Sequence, residues 1–468
     1  MEVKTLQRPQ KTLNDGYLQR TRLETEKHVE VCSNVSMEME KQDGTNLIDK
    51  VINDDNLYRA YKRVKAKKGS PGIDGITVYQ LYGHMQKYYK PLKRKLKDGS
   101  YQPQPVKRVE IPKNDGTKDK RKLGIPTVLD RVVQQAIYQV IVPLIDPHFS
   151  DHSYGFRPKR NAQQAIKKSA SYYEQGYRVA VDCDLKSYFD TINHQKLMEY
   201  LKVFIKDEVL LKLIWKFLKS GIMDDDSFTV SESGAPQGGN LSPLLSNVYL
   251  DQLDKELEKR GHNFVRYADD FCIYVKSKRA GQRVLDSITE LLEKDLKLTV
   301  NRNKSNVGSP TKLKFLGYCI HRTSKEVRCR PHISAKKKFK AKLKGRTKRN
   351  RPGTFTDIVK EINQITVGWI NYYGISFMRT FINSTGEWLN HRLRQLIWKR
   401  WKKIRTRFAK LKRLGIYKEE AWKFSNSRKG YWRLSSSETL HKAIKKETLI
   451  NWGLKDLNQL YERKYPSY

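Results

Sequence analysis

Apolar positions recur at helical spacing at Leu57, Tyr58, Tyr61 and Val64, and the run ends in the turn-rich stretch Gly69-Ser-Pro-Gly-Ile-Asp-Gly75. Helical stretches with basic faces follow to about Leu96. Two prolines then break the chain into an extended segment, Tyr101–Pro105. From Val106 to about Ile320 the patterns alternate. Val106–Pro112 and Lys122–Ile125 read as strands about the turn Asn114-Asp-Gly116, and Arg131–Ile145 and Ala162–Tyr173 as apolar helices. Arg178–Asp184, Phe264–Val275 and Phe315–His321 are strand-like. Leu244–Lys259 is an amphipathic helix opened by Ser242-Pro243. Mixed elements with long intervening segments predict an α+β domain. Beyond residue 331 no strand alternation appears, which predicts a separate helical domain.

Charge changes the picture. The 468 residues hold 93 Lys and Arg against 50 Asp and Glu, a formal net charge of +43. That imbalance points to a polyphosphate partner, because each neutralised phosphate releases condensed counterions. With 38% hydrophobic and 10% aromatic residues the chain is too apolar for a disordered polycation. It is too polar for a membrane protein, since no run of about 18 uncharged apolar residues occurs. The first residues lack an apolar signal core, so the expected location is cytoplasmic. Five scattered cysteines without a C-x-x-C pair argue against a disulfide framework and a Cys-rich zinc module. Residues 1–50 carry 8 basic and 9 acidic side chains and read as a loosely ordered leader. Residues 331–468 carry 34 basic and 9 acidic ones, more than half of the whole excess. Within them Ala335–Arg351 and Arg392–Arg413 hold no acid at all. Trp398 and Trp401 lie in the second block, where three-residue spacing favours core packing over base stacking.

Two clusters of acids carry candidate chemistry. Phe264-Val-Arg-Tyr-Ala-Asp-Asp-Phe-Cys-Ile-Tyr-Val275 sets Asp269 and Asp270 between two strand-forming runs, at the tip of an expected hairpin. An ordinary turn would explain acids there, but Tyr267 and Ala268 are not the residues a tight hairpin prefers. Val179-Ala-Val-Asp-Cys-Asp-Leu-Lys-Ser-Tyr-Phe-Asp190 runs a β-branched strand into Asp182 and Asp184, two acids on one strand face. Either this is a surface strand edge, or the carboxylates hold hard cations that clamp the oxygens of a phosphoryl transfer.

Tyr267-Ala-Asp-Asp270 resembles the active-site hairpin of reverse transcriptases, and its neighbours narrow the resemblance to those of bacterial group II introns. Leu123-Gly-Ile-Pro-Thr-Val-Leu-Asp-Arg-Val-Val-Gln134, His152-Ser-Tyr-Gly-Phe-Arg-Pro158 and Asp184-Leu-Lys-Ser-Tyr-Phe-Asp190 resemble successive blocks of that family. So do Gly234-Ala-Pro-Gln-Gly-Gly-Asn-Leu-Ser-Pro-Leu-Leu-Ser-Asn247, Leu298–Lys304 and Phe315-Leu-Gly-Tyr318, in order. Gly368-Trp-Ile-Asn-Tyr-Tyr-Gly374 resembles the thumb, or maturase, domain. The resemblance covers about 50–430. It implies a right-hand polymerase whose fingers and palm carry an antiparallel palm sheet, followed by an α-helical thumb/maturase domain. The implied division is a leader at 1–50, an N-terminal fingers extension at 51–105, fingers and palm at 106–325, a thumb/maturase domain at 331–430, and a short extension at 431–468 as a candidate DNA-binding segment. The chain ends without the paired cysteines of the endonuclease found in many relatives, so the form lacking that domain is expected.

The resemblance also implies roles. Asp184, Asp269 and Asp270 would hold two Mg²⁺ ions, with Mn²⁺ as a substitute, and Asp182 would support them. Tyr188 and Phe189 stand where the family excludes a ribose 2′-hydroxyl; spacing does not separate them, and the reading leans to Tyr188, with core packing the alternative. Lys113 and Arg121 would bind the triphosphate of a dNTP, although Lys118, Lys120 and Lys122 are rival cations. Gln237 and Gly238 would line the nucleotide pocket. Lys304 would stand near the departing pyrophosphate, or be a surface lysine. The implied partners are intron RNA, an RNA template with its DNA primer, dNTPs and target DNA. Oligomeric state stays open. The alternatives are a splicing maturase with a vestigial polymerase, or a domesticated relative in phage defence.

Overall fold

Val106–Pro112 (β1) and Lys120–Ile125 (β2) fold into an antiparallel pair. The structure, a computed structural model, describes residues 44–112, 120–224, 227–230, 232–324 and 326–465. Lys113, the loop 114–119 and nearly all of the expected leader lie outside the described residues. Val179–Cys183 (β3) belongs to a different sheet from Ile222–Asp224 (β4) and Ser227–Thr229 (β5). Asn263–Tyr267 (β6), Asp270–Val275 (β7) and Asn306–Gly308 (β8) complete the sheet of β3, and Tyr318–Arg322 (β9) pairs with Val327–Pro331 (β10). The fingers sheet runs β2-β1-β4-β5, with β1 and β4 parallel. The palm sheet runs β6-β7-β3-β8 and is antiparallel throughout.

β3 is the centre of the palm because Val179, Ala180, Val181 and Cys183 are all buried, while its register against β7 sets Cys183 opposite Phe271. One step further along that register come Asp184 and Asp270. The helix Ser242–Lys259 packs against β6 of this sheet, and its Leu250, Leu253 and Leu257 are buried in the common core. The helical stretch Val128–His148 is long and apolar enough to cross a membrane by length and composition. It is instead a core helix: Val132, Val133, Ala136, Ile137 and Ile141 are all at 0% exposure. Its start is fixed by Thr127, whose hydroxyl caps the backbone of Asp130.

The fold departs from the sequence expectations in two places. Residues 44–50 do not continue a loose leader: Leu47–Val51 is a helix with Leu47, Ile48 and Val51 buried, and Asp207 accepts the Ile48 amide at 2.8 Å. Five residues are too few to show a period, so the pattern gave no warning. Residues 431–465 do not form a separate extension either. Leu434, Leu440, Ile444, Leu449, Leu457 and Tyr461 share one apolar core with Phe339, Ile362, Leu393 and Trp398 of the helical domain. Trp398 is fully buried and is not presented to a base; Trp401 packs beside it, half-buried.

Candidate active site

The hairpin β6–β7 closes on Tyr267 and Asp270, leaving Ala268 and Asp269 as its two-residue turn. Ala268 has φ 59°, a left-handed conformation that a Cβ disfavours by about 1–2 kcal/mol. Strain at such a position belongs to sites where the surroundings over-determine the backbone. Asp184 leaves the end of β3, where its amide donates to Ser305 Oγ at 3.1 Å. Asn301 donates through Nδ2 to the Asp184 carboxylate at 3.0 Å and through its backbone to the Asp184 carbonyl at 2.7 Å. The loop 299–305 therefore fixes this carboxylate from beneath.

Asp184 and Asp269 line one cleft of about 980 Å³ together with Arg121, Phe189, Gln237 and Lys304. Asp182, Asp184 and Asp270 line an adjoining cleft, which Lys304 and Lys314 also face. The acids press on one another. Asp270 is pushed up to about 6, first by desolvation between the cleft walls and then by the charges of Asp269 and Asp184. Asp269 is raised by burial and by Asp184, with Arg121 and Arg266 pulling the other way. Asp182 rises to about 7 through burial and then the charges of Asp270 and Asp184; Cys272 Sγ lies 3.8 Å from its carboxylate. Among the described residues no group of three or more His, Cys, Asp and Glu side chains stands close enough to hold a metal ion by itself. The set is an open cluster of hard oxygen donors. Such a cluster suits a cation that keeps several waters and takes further oxygens from substrate phosphates, and a divalent charge would relieve the crowding of carboxylates.

The remaining expected residues separate. Arg121 is exposed on β2 and faces Asp269 across the cleft. Gln237 lines the cleft, and its carbonyl accepts the Gly124 amide at 2.9 Å, tying this loop to β2. Gly238 has φ 133°, and a Cβ there would lie 2.6 Å from the Gly124 carbonyl oxygen, so the close approach requires glycine. Lys304 is exposed at the seam of both clefts. Tyr188, toward which the reading leans, and Phe189 both border the main cleft, their rings 5.3 Å apart edge to face. Tyr188 is 3% exposed, its hydroxyl donates to the Ser246 carbonyl at 3.0 Å, and its ring belongs to the core. Phe189 is the half-buried ring that borders both the main cleft and the neighbouring one under β1 and β2. Ser187, just before them, has a left-handed backbone (φ 49°), of which spacing alone carries no sign.

Sequence reasoning missed Arg266, Asp254, Asn247, Gly155 and Asn301. The signal was present for Arg266: a single cation on an otherwise apolar strand needs a buried partner. It is 0% exposed and pairs with Asp254, also 0% exposed, with Nε at 2.7 Å from Oδ1.

Comparison with known proteins places these observations. Residues 111–320 match the family described as "Reverse transcriptase (RNA-dependent DNA polymerase)". Residues 336–415 match "Group II intron, maturase-specific domain". "Protein YkfC" of Escherichia coli (strain K12) is 33% identical over 291 residues, covering 54% of this chain and 76% of that protein. "Group II intron-encoded protein LtrA" of Lactococcus lactis subsp. cremoris is 31% identical over 341 residues, covering 59% of this chain and 56% of that protein. Among solved structures, a "Partial Cas6-RT-Cas1--Cas2 complex" aligns at 26% identity over 53% of this chain and 43% of that one, with a TM-score of 0.35.

Proposed function

Because the chain belongs to the group II intron reverse transcriptases, with a maturase-specific domain behind the polymerase, we propose that it copies its parent intron RNA into DNA and also helps that RNA to splice. It is an RNA-directed DNA polymerase, it binds RNA, and its polymerase domain depends on divalent metal. The observation that carries the finer reading is the meeting of Asp184 with Asp269 in a cleft whose other walls bring Arg121, Phe189, Gln237 and Lys304.

Asp184, Asp269 and Asp270 would hold two Mg²⁺ ions, or Mn²⁺ in their place, which supply charge neutralisation for the attacking and leaving oxygens. The Arg121 guanidinium, opposite Asp269, fits triphosphate oxygens as a planar fork. Phe189, the more exposed ring at the cleft, would meet the sugar of the incoming dNTP and crowd a 2′-hydroxyl. Gln237 and the Cβ-free Gly238 leave space for the nucleotide beside β2. Lys304, which lines the cleft, would give a proton to the pyrophosphate as the α–β phosphoanhydride bond breaks and the primer 3′-oxygen, its own proton passing to solvent, bonds to the α-phosphorus.

The test is extension of a DNA primer on an RNA template with dNTPs and Mg²⁺. Asp269→Ala is expected to lower synthesis by about 100-fold or more while intron RNA binding stays within about twofold. Equal inactivity of wild type and variant would sink the polymerase reading. A pure splicing role is favoured by one observation, the concentration of 34 basic residues in 331–468. It predicts that intron splicing survives Asp269→Ala, and both activities fit one chain.

A further inference from the structure

The turn carrying Asp269 is left-handed at a residue with a Cβ, so something must hold it. Arg266, two residues before Ala268, donates through Nη1 to the Ala268 carbonyl at 3.0 Å and to Asn247 Oδ1 at 3.0 Å. Its Nε and Nη2 are taken by Asp254, which neutralises the buried charge. Asn247 and Asp254 lie two helical turns apart on Ser242–Lys259, and both are at 0% exposure. Asn247 in turn donates through Nδ2 to the Gly155 carbonyl at 2.8 Å. Gly155 lies flat beneath the turn. A Cβ there would collide with the Ala268 amide nitrogen and lie 2.8 Å from the Tyr267 carbonyl carbon. The loop is bonded to β6 as well: the Tyr154 amide donates to the Arg266 carbonyl at 2.8 Å, and the Arg266 amide to the His152 carbonyl at 2.9 Å.

We propose that Arg266, Asn247 and Gly155 are positioning residues, a buried clamp that fixes the Ala268–Asp269 turn and thereby sets where the Asp269 and Asp270 carboxylates stand. None of the three lines the cleft that holds Asp184 and Asp269; they act through the turn. The guanidinium reads the turn's carbonyl, the helix supplies the partners that orient the guanidinium, and glycine lets the loop close underneath. The inference rests on the polymerase reading, since it assigns the carboxylates a task that position matters for.

Asn247→Ala tests it without leaving a buried charge unpaired. Two readouts are taken on the full chain bound to a primed RNA template: Mn²⁺ affinity by electron paramagnetic resonance titration, and primer extension against Mg²⁺ concentration. The expected result is about tenfold weaker Mn²⁺ binding and a raised Mg²⁺ requirement at unchanged primer–template affinity. Adding Ala268→Gly, which adopts the left-handed turn freely, should recover at least about a third of the lost Mn²⁺ affinity on a logarithmic scale. Arg266→Lys keeps the charge opposite Asp254 but loses the fork, and is expected to move both readouts the same way. Wild-type Mn²⁺ affinity and Mg²⁺ requirement in both variants would overturn the clamp, as would losses that follow only the folded fraction. A wild type that makes no DNA would sink the polymerase reading, and the Mn²⁺ titration would still decide the clamp.

Discussion

Tyr188 and Phe189 are adjacent in the chain and their rings meet edge to face at 5.3 Å, but Tyr188 is buried and Phe189 only half-buried, and the difference is measurable. Phe189→Ala should raise ribonucleotide incorporation relative to deoxyribonucleotide by about 10- to 100-fold, because the ring beside the cleft is what would crowd a 2′-hydroxyl. Tyr188→Phe should leave that ratio unchanged and cost about 1 kcal/mol of stability, the worth of its bond to the Ser246 carbonyl. Competition primer extension and denaturant melts read the two effects; a changed sugar preference in Tyr188→Phe would reverse the assignment. A second residue-scale prediction concerns Asp130, 1% exposed and pushed up to about 6 by burial, although Thr127, Tyr101 and the Gln104 amide all donate to it. Its folded pKa lies above its unfolded one. Its contribution is therefore fully present below about pH 4 and lost as pH rises through about 6, worth about 3 kcal/mol over that window. The difference in stability between wild type and Asp130→Asn, followed from pH 4 to 8, should show that decline; a flat difference would remove the account.

At the scale of elements, the helix Ile333–Arg346 shows how little apolar surface a basic helix needs. Phe339 and Leu343, one turn apart, are buried, and Phe339 stacks on Trp369 at 4.3 Å. Lys337, Lys342 and Lys344 are exposed. Changing all three to Gln should weaken RNA binding and lower the slope of log affinity against log salt by about one for each phosphate that is no longer neutralised, with the melting temperature nearly unchanged. An unaltered slope would mean the RNA lies elsewhere. The helix Arg379–Arg400 behaves in the opposite way at its aromatic position. Trp398→Ala should cost about 3–5 kcal/mol through the cavity it leaves, whatever RNA is present, and thermal melts with and without RNA would separate that from a stacking role.

At the scale of the molecule, palm and helical domain are joined rather than strung together; Asn46–Tyr468 is one compact unit. Tyr318 of β9 donates its hydroxyl to the Tyr372 carbonyl, and Tyr372 donates back to the Leu316 carbonyl at 2.9 Å. The Phe377 amide donates to the Cys329 carbonyl of β10 at 3.0 Å, and Gln163 reaches the carbonyls of Asn371 and Tyr372. Truncation after Pro331 would strip the cover from buried Phe315, Tyr318 and Cys329. The truncated chain should bind a hydrophobic dye and melt well below the full protein; an unchanged melt would show that the palm stands alone.

The amino-acid sequence by itself determined the period of most helices and strands, the excess of positive charge, and the order of the acidic blocks, because each is a property of near neighbours or of simple sums. Strands β1 and β3 and the helix Ser242–Lys259 fall within a residue or two of where their patterns put them. What the tertiary structure decided is which neighbours in space each residue meets. The left-handed turn at Ala268, the exposure of Phe189 beside buried Tyr188, the pairing of Arg266 with Asp254 and the burial of residues 431–465 depend on partners from about a dozen to more than a hundred positions away. Local pattern records how a segment hides its own apolar face, and it holds no record of what arrives on the other side.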